Sequence, residues 1–444
     1  MHQRGTLTGY TLNDMFTAAP ALEPQPHPRQ DRLILLIVAA YAAAFIVVGQ
    51  AIDGPEAAAH GIARILTSRD TLFTDYFGIA GVGGSFVHTG ILTLAGCAIY
   101  HRVRSPINGA SLACLFLLLG FGLFGKNLLN VCFIIAGVWI YARFRGEPFA
   151  DHINTAFFGA ALAPVVTEIL FSTILPTGVG AALAVVVGLL IGFILPAAAA
   201  QLSRAHMGFA LYNVGFTAGL IGVLVVALMK SYGLVPEPVF IWTTGHNLHL
   251  GIFVGVMFGS LMLVGLAVDR GAVSRLSTVL RSSGQAPSDF IALAGLGATL
   301  LNMGLSGLLA MVYILAIGGD LNGPVIAGLL SVAGFGAFGK HPLNITPVLL
   351  GVVLGSLAKP WGVTDPAIQL AALFSTNLAP VAGRFGWRWG AVAGYIHSSA
   401  ALSVGGVHGG LNLYNNGFAS GIVASVLVPV ILSIEDVRQR RRGT

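Results

Sequence analysis

The chain carries its own sequence twice. Residues 75–141 align without a gap to residues 289–355 at an offset of 214, with 20 identities in 67 positions. The stretch Asn108–Asn130 alone holds 12 identities in 23, concentrated where GFGLFGKNLLN meets GFGAFGKHPLN. Further on the offset shrinks to 202, and HMGFALYNVGFTAG (His206–Gly219) matches HGGLNLYNNGFASG (His408–Gly421) at eight of 14 positions. A polytopic chain duplicated in this way has the pattern of channels and secondary transporters built from two halves.

The solvent of most of this chain is lipid. It is 55% apolar and 9% charged, with a mean hydropathy of +0.83, which excludes an ordinary soluble core and predicts an all-α, polytopic transmembrane helical bundle. Its 59 glycines in 444 residues predict close helix contacts and interrupted helices. Cys97, Cys114 and Cys132 sit in apolar runs of the first half only, so they are expected as small packing residues, not disulfides or metal ligands.

Residues 1–32 are polar and proline-bearing, the composition of a flexible cytoplasmic tail, with no cleavable signal peptide evident before the first apolar run, Leu33–Val48. Further spans are expected at 75–100, 107–125, 127–143, 154–174, 178–198 and 207–229. The second half adds 248–268, 288–317, 323–339, 343–358, 366–382, 389–404 and 409–433, about 14 spans in all. The first repeat is expected over 33–230, the second over 240–433, and a basic cytoplasmic tail over 434–444. With both termini cytoplasmic, 18 of the 23 basic residues fall inside, against Arg64, Arg69, Lys126, Lys230 and Lys359 outside. Seven spans per half is an odd number, so the second repeat must lie upside down relative to the first, and the site is expected near the midplane where equivalent segments meet. The chain is accordingly expected as a multi-pass protein of the inner (cytoplasmic) membrane.

Three pairs of interruptions carry the polar chemistry. The first is Tyr212-Asn213 with Tyr414-Asn415, preceded by His206 and His408. A mid-span asparagine costs about 1 kcal/mol or more unless its amide is paired, so a repeated one points to a pore lining or to glue between helices. The second is the glycine-rich GFGxFGK element, which puts Lys126 and Lys340, two of only four lysines, at one repeated position, followed by Asn130 and Asn344. A lysine there either snorkels at a hairpin or turns inward to attract an anion or a carboxylate, and Glu168 is the carboxylate at membrane depth best suited as partner or proton carrier. The third is GxGxxxxHxG against GxGxxxxNxG, which makes His88 and Asn302 equivalent. Its Gly-x-Gly lacks the strand and acidic residue of a nucleotide site.

Ser105-Pro106-Ile107-Asn108-Gly109 ahead of a long apolar helix, with the Leu-Tyr-Asn elements at 211–213 and 413–415, resembles the urea-transporter architecture, which also has two inverted halves. That resemblance is confined to these motifs, and it implies an uncharged, hydrogen-bonding solute facing the paired asparagines. Over most of its length the chain looks closer to a bacterial membrane-protein family known only as a domain of unknown function.

A transporter or channel for a small polar solute or ion explains the duplication and the repeated polar positions. An intramembrane enzyme would draw on His88, His246, His249, His397 and Glu168, yet no spacing ties these together. His246 and His249 have ligand-like spacing without a Cys or carboxylate cluster beside them. A structural subunit of a membrane complex would instead keep the polar pairs dry. The expected partners are the lipid bilayer, the solute and a second copy in a homo-oligomer; no nucleic acid, cofactor or catalytic role is expected.

Overall fold

Three glycines break helices that the apolar pattern alone would let run on. A computed structural model describes residues 28–442, in which Gly54, Gly81 and Gly295 adopt φ of +77°, +77° and +83°, a region that costs an L side chain strain. Gly54 splits α1 (Pro28–Leu66), and Pro55 opens its second half, where a missing N–H is harmless. Gly81 splits α2 (Tyr76–Val103). The Asp53 carboxylate caps the new N-terminus by accepting the Gly84 amide at 2.8 Å.

The first repeat continues through α3 (Gly109–Phe121), α4 (Leu128–Arg145), α5 (Phe149–Gly159), α6 (Ala163–Leu170), α7 (Thr177–Leu202) and α8 (Asn213–Ser231). The second repeats the order: α9 (Asn247–Val268) and α10 (Ala272–Arg281) stand for the halves of α1, and α11 (Phe290–Ala316), broken at Gly295, for α2. Then follow α12 (Gly323–Gly334), α13 (Pro342–Ala358), α14 (Pro366–Ser375), α15 (Ala379–Phe385), α16 (Trp387–Val404) and α17 (Asn415–Arg442). Among the described residues the strands are two residues each, β1 (Phe73–Thr74) and β2 (Phe240–Ile241), paired in parallel.

The all-α bundle stands as the sequence implies, with interruptions redistributing its spans. Among the described residues nine helices are long and apolar enough to cross a membrane, joined by shorter apolar helices at Gly109–Phe121, Gly323–Ala337 and Pro342–Ala358. The spans expected at 154–174 and 366–382 are each two helices joined by a 3₁₀ turn, Ala160–Leu162 and Thr376–Leu378. Those expected from 207 and 409 begin as non-helical segments and turn helical only at Asn213 and Asn415. Residues 28–32, expected in the tail, start α1, while residues 1–27 of that tail lie outside the described residues; α17 carries the basic C-terminal segment as helix to Arg442. The charged α10 was not among the expected spans, because Arg275 and Arg281 dilute a helix that is apolar on one side only.

The inversion is visible in α3 and α12. Gly109, at the start of α3, packs on the Ala337 carbonyl just beyond α12, and Gly323, at the start of α12, packs on the Leu123 carbonyl just beyond α3. The two equivalent helices are therefore antiparallel, which fixes the halves as inverted repeats. Both lie in the core, with every residue of α12 and all but Ala110 of α3 buried. The repeated Asn-Gly is explained here: Asn108 and Asn322 cap these helices by accepting the Ser111 and Val325 amides at 2.9 and 3.1 Å. Asp289 of the second repeat accepts the Gly109 amide of the first at 3.2 Å.

Glycine also sets the outer packing. A Cβ on Gly137 or Gly192 would run into the backbone of the facing helix where α4 meets α7, and Gly351 and Gly394 do the same between α13 and α16. Cys97 and Cys114 are buried free thiols as packing residues should be, whereas Cys132 is exposed.

Candidate functional site

Each central helix ends in a glycine-rich break that side chains hold open. Gly125 and Gly339 take φ of +77° and +114°, leaving carbonyls without helical partners that must be bonded otherwise. His88 Nδ1 lies 2.9 Å from the Gly122 carbonyl, and the equivalent Asn302 donates to the Gly336 and Lys340 carbonyls at 2.7 and 2.8 Å. Asn130 and Asn344 donate to the Gly125 and Gly339 carbonyls at 3.0 and 2.9 Å and accept the Asn127 and His341 amides at 2.8 Å. These four residues shape the breaks from behind.

The breaks send their lysines into the core, not to a hairpin surface. Lys126 and Lys340 are 1% and 0% exposed, and each reaches the tyrosine of the opposite repeat. Lys126 Nζ donates to Tyr414 Oη at 2.8 Å and to the Phe157 carbonyl at 3.0 Å. Lys340 Nζ donates to Tyr212 Oη at 2.6 Å and to Thr376 Oγ1 at 2.8 Å. The ammonium groups also stand over ring faces, 4.8 Å from the Tyr414 centroid and 5.4 Å from Phe121 in one case, 4.6 Å from Tyr212 and 5.2 Å from Phe335 in the other.

Neither lysine forms an ion pair with a carboxylate among the described residues. Glu168, expected as their partner, lies 3.6 Å from Arg69 and accepts the Glu237 amide at 3.3 Å. The 3₁₀ turn at Ala160–Leu162 is the reason: it redirects α6 and carries Glu168 toward the 67–75 loop.

The Tyr-Asn segments cross between repeats too. The Leu211 amide donates to the Asn377 carbonyl at 3.1 Å, and the Leu413 amide to the Ala161 carbonyl at 2.9 Å, so each non-helical segment docks on the 3₁₀ turn of the other half. His206 Nε2 and His408 Nε2 meet Asn213 and Asn415 Oδ1 at 3.0 and 2.9 Å, while the asparagine amides donate to the Ala199 and Ala401 carbonyls at 3.0 and 2.8 Å. Both ends of each asparagine amide are thus engaged in holding the segment to α7 or α16.

Cavities lie along this pseudo-two-fold arrangement. One, of about 190 Å³, is bordered by Asn154, Phe158, Asn213 and Phe335 and shares Leu117, Tyr212 and Tyr414 with a central pocket of about 10 Å³. The central pocket shares Asn416 with a third cavity of about 100 Å³ beside Phe73, Leu370 and Asn415. Ala110, near the start of α3, borders the first cavity, and Leu72, four residues before the Tyr76 amide that bonds the Leu123 carbonyl just past α3, borders the third, so the two lie toward opposite ends of α3.

A family model described as "Protein of unknown function (DUF1576)" matches residues 54–231 and 268–433, one segment in each repeat. The chain belongs to this family. No curated protein and no solved structure matches it. With nine helices among its described residues long and apolar enough to cross a membrane, this DUF1576 member is a multi-pass membrane protein.

Several residues around the DUF1576 site were not singled out from sequence. Phe121 and Phe335 are invariant between the repeats and signalled by that identity alone. Asn154 lines the large cavity and accepts the Tyr100 hydroxyl, but its repeat counterpart is Leu370, so the duplication hid it. Asp70 precedes the aligned block and is buried, accepting from Tyr76 Oη, Asn130 Nδ2, Asn127 Nδ2 and Thr167 Oγ1 at 2.7, 3.0, 3.2 and 3.2 Å. Burial of this loop carboxyl raises its pKa to about 7 against the opposing hydrogen bonds. His246, just before α9, is edge-on to Phe77, His249 is exposed, and His397 bonds Asn416 and Ser420. Among the described residues no group of three His, Cys, Asp or Glu side chains comes together to hold a metal.

Proposed function

We propose that this protein moves a small polar solute or ion across the bacterial inner membrane, with both termini cytoplasmic. The observation that carries the reading is the row of cavities: two larger spaces, each sharing lining residues with a small pocket that Tyr212 and Tyr414 border between them. Inverted repeats support it, since a path on their pseudo-two-fold axis meets equivalent groups from either side, as alternating access requires. Interrupted helices support it as well, because irregular backbone at membrane depth is tolerated where it is buried or lines a cavity. The central pocket has space for about one water at most, the smallest of the three cavities.

The test is flux. Purified protein in proteoliposomes should speed the entry of at least one solute from a set holding urea, glycerol, sodium, potassium, chloride, nitrate and formate, relative to protein-free vesicles. Leu117 borders both the large cavity and the central pocket, so Leu117→Trp should abolish that entry. If no member of the set enters faster than in empty vesicles, the transport reading falls.

A further inference from the structure

Resting on that transport reading, we infer that the solute is a small anion, bound between Tyr212 and Tyr414 by their hydroxyl protons with the Lys126 and Lys340 ammonium groups behind them. The chemistry begins with the direction of the hydrogen bonds. An ammonium has no lone pair, so Lys126 must donate to Tyr414 Oη and Lys340 to Tyr212 Oη. Each tyrosine keeps its own proton to give, and a hydroxyl that already accepts from a cation is a stronger donor. Both tyrosines border the central pocket; Tyr212 shares a hydrogen with Ser331 there.

Charge decides among solutes. The linings of the three cavities include no Asp or Glu, whereas the two ammonium groups stand one side chain behind the walls. A cation entering the pocket would be repelled by both. A neutral solute would bring no counter-charge to two buried amines, whose charged form costs several kcal/mol each in desolvation. An anion removes that imbalance, as rings of Lys or Arg do in anion-conducting pores. Helices α8 and α17 begin at Asn213 and Asn415 beside the same spaces, and their N-terminal dipole ends have the favourable sign. A central pocket of about 10 Å³, space for about one water at most, favours the smallest anions. This departs from the uncharged solute implied by the urea-transporter likeness, and the lysines are the reason.

The experiment uses the full chain in proteoliposomes loaded with valinomycin, so that potassium follows any anion that enters. Chloride, nitrate or formate influx should exceed that of protein-free vesicles at least tenfold, with urea, glycerol and sodium unchanged. Lys126→Gln and Lys340→Gln should each cut the anion flux at least tenfold. Tyr414→Phe keeps the ring over Lys126 and removes only the hydroxyl, so it should reduce the flux even where a lysine variant fails to fold. Flux of urea or glycerol without the anions would overturn the anion assignment and leave the transport reading standing. Flux of none of these probes would overturn both.

Discussion

Gly215 meets Gly417 directly on the axis that relates the repeats. A Cβ on Gly215 would lie 3.2 Å from the Gly417 Cα and 3.1 Å from the Tyr414 Cβ, and one on Gly417 would lie 3.1 Å from the Gly215 Cα. On either side Phe216 fills the space over Gly421 and Phe418 the space over Gly219, with the two rings 6.3 Å apart. Alanine at either central glycine needs its neighbours to yield by a few tenths of an ångström. Valine cannot be placed without parting α8 from α17, so Gly215→Val or Gly417→Val should cost about 1–3 kcal/mol and displace the tyrosines that follow Leu211 and Leu413. Thermal unfolding of the detergent-solubilised variants measures this, and unchanged melting would mean the contact is loose.

That contact shows what the sequence could and could not disclose. The matched Tyr-Asn-x-Gly-Phe elements announced equivalent segments, and oddness of the span count announced inversion, because both depend on identity and period. Which repeat each side chain would touch was not visible: Lys126 bonding Tyr414, and Leu413 bonding Ala161, are contacts across 288 and more than 200 residues that no local pattern encodes. Glu168 illustrates the opposite error. In the sequence it is the one acid at the lysines' apparent depth, but after the 3₁₀ turn before α6 it stands beside Arg69 instead. Lys126 and Lys340 fall between the expected spans yet are both buried, and leaving them out of the tally of basic residues does not alter its asymmetry.

His88 and Asn302 should be partly interchangeable. Asn302→Leu strips the Gly336 and Lys340 carbonyls of their donor, and each buried group left unpaired costs roughly 1–3 kcal/mol. Asn302→His should recover much of this loss, since His88 already serves the equivalent Gly122 carbonyl. Equal melting temperatures for the leucine and histidine variants would refute the clamp.

Membrane orientation is open to thiol labelling once Cys97, Cys114 and Cys132 are replaced. Ser231 and Ser274 are both exposed, at the end of α8 and on the charged helix α10. Cysteine at position 231 should react with an impermeant maleimide in intact cells, and cysteine at 274 only after permeabilisation. The reverse pattern would turn the whole molecule over in the membrane while leaving the repeats inverted relative to each other.

Asp70 predicts a pH dependence with a definite sign. Its carboxyl titrates at about 7 in the folded chain against an ordinary value of 3.8, with burial the leading cause. The folded state therefore holds this proton more tightly than the unfolded state does. Its contribution to stability is fully present below the unfolded value and is lost as pH rises through the folded one. Melting of the solubilised protein should accordingly drop between about pH 5 and about pH 8, and Asp70→Asn, which cannot ionise, should flatten that drop. Asp70→Ala is a separate case, for it removes the acceptor shared by Tyr76, Asn127, Asn130 and Thr167 and should lower stability at every pH. If wild type and Asp70→Asn melt with the same pH profile, the carboxyl does not titrate in this range, and the asparagine amides hold it ionised throughout.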